Sequence, residues 1–383
     1  MKQLEGETMD EQAQALLDRL VPELADLQKQ AAEAYWQATT TGEERFEQQY
    51  SELEKQYRQK LADKELFTRL KTLKEGSITD PLIARQITLL YNEALPNQVS
   101  KEDIDELVQR TTEIEGIFTR FRATYRGNPI SDNEIKHILQ TETDTYKRRE
   151  AWYASKQVGE AIVDKLIELV KHRNAIAHKL GFRDYFQMML TAQEIDEDEL
   201  FAVFDDLKQK TDQPFSDIKG EMDKIIADRY KDLRPEGLRH WHYVDPFFQE
   251  APQVYDIDLN SAFKEQKLED IAASFYKAIG LDVTDILERS DLYERDHKQQ
   301  HAYSTDIDRE GDVRILCNIR ENESSMNTLL HELGHAVYDK YHDAQMPYLL
   351  RQPADTASTE AIAMIMGRLT KNAAWLAEYT GID

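Results

Sequence analysis

The segment Leu329–Tyr338 constrains the fold of this chain more than any other stretch of its sequence. It contains no proline, and its apolar residues recur at helical spacing, which predicts an α-helix. Positions i and i+4 of a helix share one face, so the imidazoles of His331 and His335 should point to the same place, with Glu332 projecting beside it. This spacing indicates a metal ion with a neighbouring general base. The alternative is a surface helix with two solvated histidines.

A second helix is predicted shortly afterwards, and it offers a third metal ligand. Pro353 disfavours helix in the segment before it, and Ser358 or Thr359 is available to cap a new helix that carries Glu360. A helix–loop–helix arrangement brings a distant carboxylate back to a two-histidine face. Two histidines and one glutamate would leave the fourth position of a zinc ion open, as a catalytic site requires. Alternatively, Glu360 only complements the positive end of the helix dipole.

The composition of the chain limits which binding partners and which cellular compartment we expect. The formal net charge is −25, which makes nucleic acid or an anionic membrane surface an unfavourable partner. The single cysteine, Cys317, excludes an intrachain disulfide and fits a reducing compartment, so we expect a cytoplasmic location. No apolar run approaches the roughly 20 residues of a membrane-spanning helix, and the first residues lack a secretory apolar region.

Hydrophobic periodicity predicts a mostly α-helical protein. Between residues 9 and 75, apolar side chains recur every three or four positions, with Pro22 as a kink or restart and a break at Gly42. Residues 134–180 are also strongly helical in pattern, and Gly181 is a candidate for the C-terminal cap of that stretch. These stripes are typical of helices that pack on a common core.

Two short strands are predicted just before the metal helix. Residues 301–305 and 313–319 flank the turn-rich segment 308–312. Such a hairpin either braces the helix or holds an extended peptide along its edge by backbone pairing, and the pattern leaves both open. His240 and His242, two positions apart in an aromatic loop, allow a second metal site but favour structural packing.

Several motifs together resemble the angiotensin-converting-enzyme-like zinc peptidases, a family of gluzincin dipeptidyl carboxypeptidases. His-Glu-Leu-Gly-His at 331–335 and Glu-Ala-Ile at 360–362 look like the zinc-binding segments of the family. His301-Ala302 looks like its substrate-contacting strand, and Ala-Glu-Ala-Tyr-Trp at 32–36 is similar to a helix of its lid. The thimet-oligopeptidase and oligoendopeptidase relatives share the zinc pattern.

The resemblance implies a two-lobed helical body around a deep cleft, with a small β-hairpin beside the zinc helix. Residues 1–383 would form one peptidase catalytic region, with lid-like helices in 1–130 and the zinc-binding core in 131–383. It implies hydrolysis of short peptides by a dipeptidyl carboxypeptidase. The implied roles are Zn²⁺ ligation by His331, His335 and Glu360, general base catalysis by Glu332, and substrate contacts by His301 and Ala302. The alternatives are an endo-acting oligopeptidase and a non-catalytic zinc-binding scaffold.

The chain departs from the family pattern in two places. The family carries an acidic residue four positions after the third ligand, where this chain has Met364. We therefore expect weaker zinc binding, or a substitute such as Asp355 or another carboxylate. The histidine and tyrosine that stabilise the oxyanion in the family lie well beyond the third ligand, whereas this chain ends at Asp383. We expect a C-terminally incomplete catalytic region, because the helix at 361–369 is apolar nearly all round and needs covering partners.

Overall fold

The computed structural model describes residues 8–248, 252, 254 and 257–382. This part of the chain is mostly helical, with two small antiparallel hairpins, which confirms the predicted fold class. Its contacts divide the chain into two compact units, each assembled from separate segments. The first unit contains Met1–Thr119, Ile167–Glu194 and Leu259–Asp383, and the second contains Arg120–Leu166 and Ile195–Asp258.

The helices and strands of the described residues follow in chain order. The helices are α1 Met9–Thr41, α2 Glu44–Leu61, α3 Lys64–Glu75, α4 Pro81–Ala94, α5 Lys101–Arg120, α6 Asp132–Thr141, α7 Thr145–Ala154, α8 Gln157–Lys179, α9 Tyr185–Ala192, α10 Glu197–Ala227, α11 Leu268–Ala278, α12 Thr284–Arg289, α13 Glu323–Lys340, α14 Thr356–Gly367 and α15 Ala373–Thr380. The strands are β1 Ala123–Tyr125, β2 Asn128–Ile130, β3 Tyr303–Asp306 and β4 Val313–Leu316. No helix within this part of the chain is both long and apolar enough to cross a membrane.

The first four helices share an apolar cluster in the first unit. Leu16 and Leu24 of α1 are buried with Leu61 of α2, Leu70 of α3 and Leu90 of α4. The predicted stripes are therefore the core-facing sides of these helices, as expected for amphipathic helices that pack on one another.

The first helix does not restart at Pro22, and the predicted kink there stays a prediction. α1 runs through Pro22 without restarting, since Leu20 and Leu24 on either side are buried and hold the chain in place. It ends at Gly42, as predicted. Gly42 has φ +69°, in the left-handed region that favours glycine, and its N–H donates to the carbonyl of Ala38.

The C-terminal part of the first unit is built around α13. Leu329, Leu330 and Leu333 of this helix are fully buried, in a cluster that includes Phe275 of α11 and Ile315 of β4. Burial of this face fixes the rotation of α13 about its axis. The histidines of the motif are then held on a different side of the helix.

The predicted hairpin lies next to α13. β3 and β4 pair antiparallel with Tyr303 opposite Leu316, and β3 contacts α13. Trp36 of α1 shares an apolar cluster with Leu316 and Tyr303, and the Tyr303 hydroxyl lies 2.6 Å from Oγ1 of Thr39. The hairpin therefore braces α13 and also ties α1 to the same unit. Its role in holding a peptide stays a prediction.

The second unit contains a hairpin that the sequence analysis did not predict. β1 and β2 pair antiparallel around Arg126 and Gly127, which have φ +52° and +85°. Elsewhere in this unit, the buried guanidinium of Arg148 donates to the carbonyls of Trp241 and Tyr243 at 2.8 and 3.1 Å. These bonds join α7 to the aromatic loop that follows α10.

Candidate metal centre

Three side chains of the first unit converge on one point. The ligand atoms of His331, His335 and Glu360 all lie within 4.8 Å of one another. Nε2 of His331 is 3.5 Å from one carboxylate oxygen of Glu360, and Nε2 of His335 is 3.6 Å from the other. Among the residues that the structure describes, this is the one group of three or more histidine, cysteine or acidic side chains with such spacing.

The helix that carries the two histidines is capped by an asparagine. The cap of α13 is Asn322, whose side-chain oxygen accepts a hydrogen bond from the Ser325 N–H at 2.8 Å. Ser324 and Ser325, which also have cap-forming side chains, lie inside the first turn. Asparagine is as good a cap as serine, so propensity alone does not choose between neighbouring candidates.

The third residue is brought in by a very close approach of two helices. A Cβ atom built on Gly334 of α13 would lie only 2.7 Å from Cα of Ala363 in α14. Glycine at this position therefore allows the two backbones to touch, and Glu360 lies one turn before Ala363 on α14. The predicted cap residues of this helix, Ser358 and Thr359, lie within it, since Asp355 is the cap.

A hydroxyl group holds the ring of the second histidine. Oγ1 of Thr359 lies 2.7 Å from Nδ1 of His335, which leaves Nε2 of that ring directed to Glu360. Asp355, expected as a substitute partner for a histidine, instead accepts the N–H of Ser358 at the start of α14. Met364 is 58% exposed. The partner of His335 is thus a threonine, one residue before the third candidate ligand.

Burial shapes the charge states of these groups. Desolvation lowers the pKa of His331, against the opposing charge of Glu360. Desolvation also lowers the pKa of His335, with His331 as a further cause and Glu360 opposing. Both shifts favour the neutral imidazole, whose lone pair a metal ion needs. Glu332 is 7% exposed, and desolvation, followed by the charge of Glu360, raises its pKa to about 8.

The candidate ligands open on a cavity of about 540 Å³, defined here as the metal cavity. Glu332 and Ala302 both line it, as predicted for a general base and a substrate contact. His301 is not among its lining residues, and its ring lies 5.1 Å from that of Phe118. The roles of these residues stay predictions, but the placement of Ala302 fits its predicted role better than that of His301.

Sequence reasoning missed polar groups of the metal cavity. Asp306, Arg309 and Asp339 line it. Desolvation and then the charge of Asp306 raise the pKa of Asp339 to about 7, whereas Arg309 opposes the shift. Asp339 lies four residues after His335, so the helical period could have identified it. Asp306 and Arg309 belong to the hairpin, and no motif indicated them.

The second histidine pair lies in the second unit and serves packing. Nδ1 of His242 accepts the N–H of Arg239 at 2.8 Å, and Nε2 lies 2.6 Å from Oγ1 of Thr145. His240 stacks on Trp152 with ring centroids 4.3 Å apart. With both nitrogens of His242 engaged, this pair offers no free ligand set, which agrees with the favoured structural interpretation.

The chemistry of the first group fits zinc. Zinc takes imidazole nitrogen and carboxylate oxygen in tetrahedral sites at roughly 2.0–2.2 Å, so neighbouring ligand atoms should lie roughly 3.4 Å apart. Nε2 of each histidine lies 3.5 or 3.6 Å from a different carboxylate oxygen of Glu360, close to that value, and one ligand atom from each of the three residues lies within 4.8 Å of the others. Thr359 in addition orients one ring in the way that metal-binding histidines usually require.

Comparisons with known proteins find matches to two peptidase families in overlapping parts of the chain. A family model described as "Angiotensin-converting enzyme" matches residues 7–234, and one described as "Peptidase family M3" matches residues 138–381. A protein named "Angiotensin-converting enzyme" from Haematobia irritans exigua is 22% identical over 292 residues, which are 69% of this chain and 48% of that protein. The chain thus spans about half the length of this curated relative. The three candidate ligands fall within the second model match.

Proposed function

The chain belongs to the angiotensin-converting-enzyme-like gluzincin peptidases, with relatives in peptidase family M3, and from this premise we propose that it hydrolyses short peptides as a zinc-dependent dipeptidyl carboxypeptidase. One observation carries the proposal. His331, His335 and Glu360 converge at zinc-ligand spacing, and Glu332 lines the same cavity.

The roles of the residues follow from their positions. His331 and His335, through Nε2, and one carboxylate oxygen of Glu360 would hold the ion. Bound zinc supplies Lewis-acid chemistry, which lowers the pKa of water toward about 7 and polarises a peptide carbonyl. The charge of a bound zinc ion would favour the carboxylate form of Glu332. This carboxylate accepts a proton from the attacking water, and the resulting carboxylic acid donates it to the nitrogen of the leaving amine. Its burial keeps bulk water away from that proton transfer.

The test of this proposal is the Glu332→Gln variant. Loss of the general base should lower peptide turnover by about 10²–10⁴-fold while the zinc content stays unchanged. Glu288→Gln is a suitable control, because Glu288 is an exposed glutamate on α12 of the same unit. Full turnover by Glu332→Gln, in protein free of other peptidases, would sink the assigned role.

An endo-acting oligopeptidase is the second candidate function. It is favoured by the match to peptidase family M3, which spans residues 138–381 and so includes all of the proposed zinc ligands. The two modes differ in their need for a free substrate C-terminus. A peptide with an amidated C-terminus should resist a dipeptidyl carboxypeptidase, whereas an endopeptidase should cleave it internally, and mass spectrometry of the products distinguishes the two.

A further inference from the structure

A second and larger cavity adjoins the metal cavity in the first unit. It has a volume of about 890 Å³ and is defined here as the acidic cavity. Gln352, Pro353 and Thr359 line both cavities. Since Thr359 also holds His335, the acidic cavity begins directly beside the candidate zinc ligands. A peptide whose carbonyl lies at the ligands has room to extend into it.

The cations of the acidic cavity are already paired. Nε of Arg58 lies 2.7 Å from Oε1 of Glu54, and Arg85 contacts Glu194 at 2.5 Å. Each guanidinium that lines the cavity therefore has a carboxylate partner. Any further carboxylate in the cavity is left without a cation from its walls.

Glu115 of α5 is such a carboxylate. Its Oε2 atom is buried and has no hydrogen-bond partner among the residues that the structure describes. Among the described residues, Arg173 makes no ion pair with Glu115. Burial and the charge of Glu54 raise the pKa of Glu115 to about 7, whereas the charge of Arg173 opposes this shift. A buried acceptor without a donor is unfavourable, and such a group needs an explanation, for example a bound water, ion or ligand.

Two further observations on the cavity walls point to a ligand. Asn92 of α4 is only 6% exposed, and its Nδ2 atom has no hydrogen-bond partner among the described residues. It could donate to a peptide carbonyl. The rings of Tyr35 and Tyr50 also line the cavity, with centroids 5.2 Å apart. Aromatic faces beside a carboxylate are a favourable environment for an organic cation.

We propose that the acidic cavity binds the aliphatic ammonium group of a peptide whose backbone lies across the metal cavity, with Glu115 as its counter-ion. The inference rests on the proposed peptidase function and names a substrate class for it. The ammonium group is either the free N-terminus of the peptide or a lysine side chain, because both present the same chemistry to Glu115. An acidic group is disfavoured at this one position, because it would lie beside the carboxylate of Glu115.

The test compares matched peptides that differ only in this charge. One pair has a free or an acetylated N-terminus, and a scan replaces lysine with norleucine at each position in turn. Affinity is measured by fluorescence anisotropy on zinc-supplied Glu332→Gln protein, and kcat/KM on the unaltered chain. The charged member of one pair should bind and react about 10-fold better than its neutral partner, as expected for one charge-assisted hydrogen bond.

Substitutions then assign the effect to the cavity. In Glu115→Gln the ratio between charged and neutral peptides should fall close to one, whereas Glu115→Asp should retain part of it. Glu113→Gln, an exposed position on the same helix, should leave the ratio as in the parent. If acetylation has no effect but one lysine position does, the ammonium comes from the side chain.

Failure of the inference and failure of the proposed function give different results. Equal binding of charged and neutral peptides at every position would overturn the inference, whether or not the chain cleaves them. A ratio that persists in Glu115→Gln would also overturn it. Charge-dependent binding without cleavage of any peptide would overturn the proposed function and leave the assignment of the cavity standing.

Discussion

Gly334→Ala should separate helix packing from metal binding. The new Cβ would lie 2.7 Å from Cα of Ala363, and ordinary contact begins at 3.4 Å, so α14 must retreat by about 0.7 Å (3.4 − 2.7). Metal–ligand distances tolerate only about 0.2 Å of error, and Glu360 moves with α14. We therefore expect the zinc affinity to fall by at least about 10-fold, the lower end of the effects seen when a ligand is disturbed indirectly.

The stability of the same variant is a separate quantity, in which two effects oppose each other. Overpacking costs about 1–3 kcal/mol, but alanine is about 1 kcal/mol better than glycine inside a helix. The net loss in the free energy of unfolding is then about 0–2 kcal/mol. Thermal unfolding of the metal-free protein measures this term, and competition with a chromophoric chelator measures zinc affinity.

A matched control is available in the second unit. Gly220 lies within α10, and a Cβ there meets nothing within 4 Å. Gly220→Ala should raise stability slightly and leave zinc affinity unchanged. Parental zinc affinity in Gly334→Ala would refute the idea that the close approach of α13 and α14 positions Glu360.

Two further predictions concern a metal-site hydroxyl and a buried imidazole. Thr359→Val removes the hydroxyl beside Nδ1 of His335 and should weaken zinc binding by about 10–100-fold. The same chelator competition measures the affinity, and an unchanged value would contradict the role of Thr359 in orienting the ring. The pKa of His242 in the folded protein is lowered to about 4, first by desolvation and then by the charge of Arg148. As the pH falls, His242 is therefore protonated in the unfolded chain before it is protonated in the folded protein. The free energy of unfolding is therefore unaffected by His242 above pH 6.5. It falls by about 3 kcal/mol at most between pH 6.5 and 4, as the unfolded chain is protonated at this residue. Urea unfolding at pH 7 and 4.5 should show a larger loss in the parent than in His242→Asn, and equal losses would contradict the assignment.

The sequence predicted the parts of the fold that depend on periodicity and on strong local signals. Gly42 ends α1 because only glycine adopts its backbone conformation at little cost. The hairpin before α13 follows from alternating apolar residues around a turn-rich segment. His331 and His335 meet because positions i and i+4 of a helix share one face.

Other features depend on interactions that a sequence pattern does not display. The turn between β1 and β2 uses Arg126 at positive φ, rather than the Asn-Gly or Asp-Gly of common hairpin turns, and Pro129 weakens the strand signal. The contact of Thr359 with His335 requires the rotation of α14, which the close approach at Gly334 sets. The unpaired state of Glu115 is a property of its surroundings, and its helix position alone did not indicate it.

The most direct test of the central claim is the zinc content of the purified chain, measured by elemental analysis together with that of Glu360→Ala. We expect about one zinc per chain in the parent, and a loss or strong weakening of binding in the variant, because the third ligand is removed. Zinc that stays equally tight in Glu360→Ala, or no zinc in the parent after its addition, would contradict the assignment of His331, His335 and Glu360 as a metal centre.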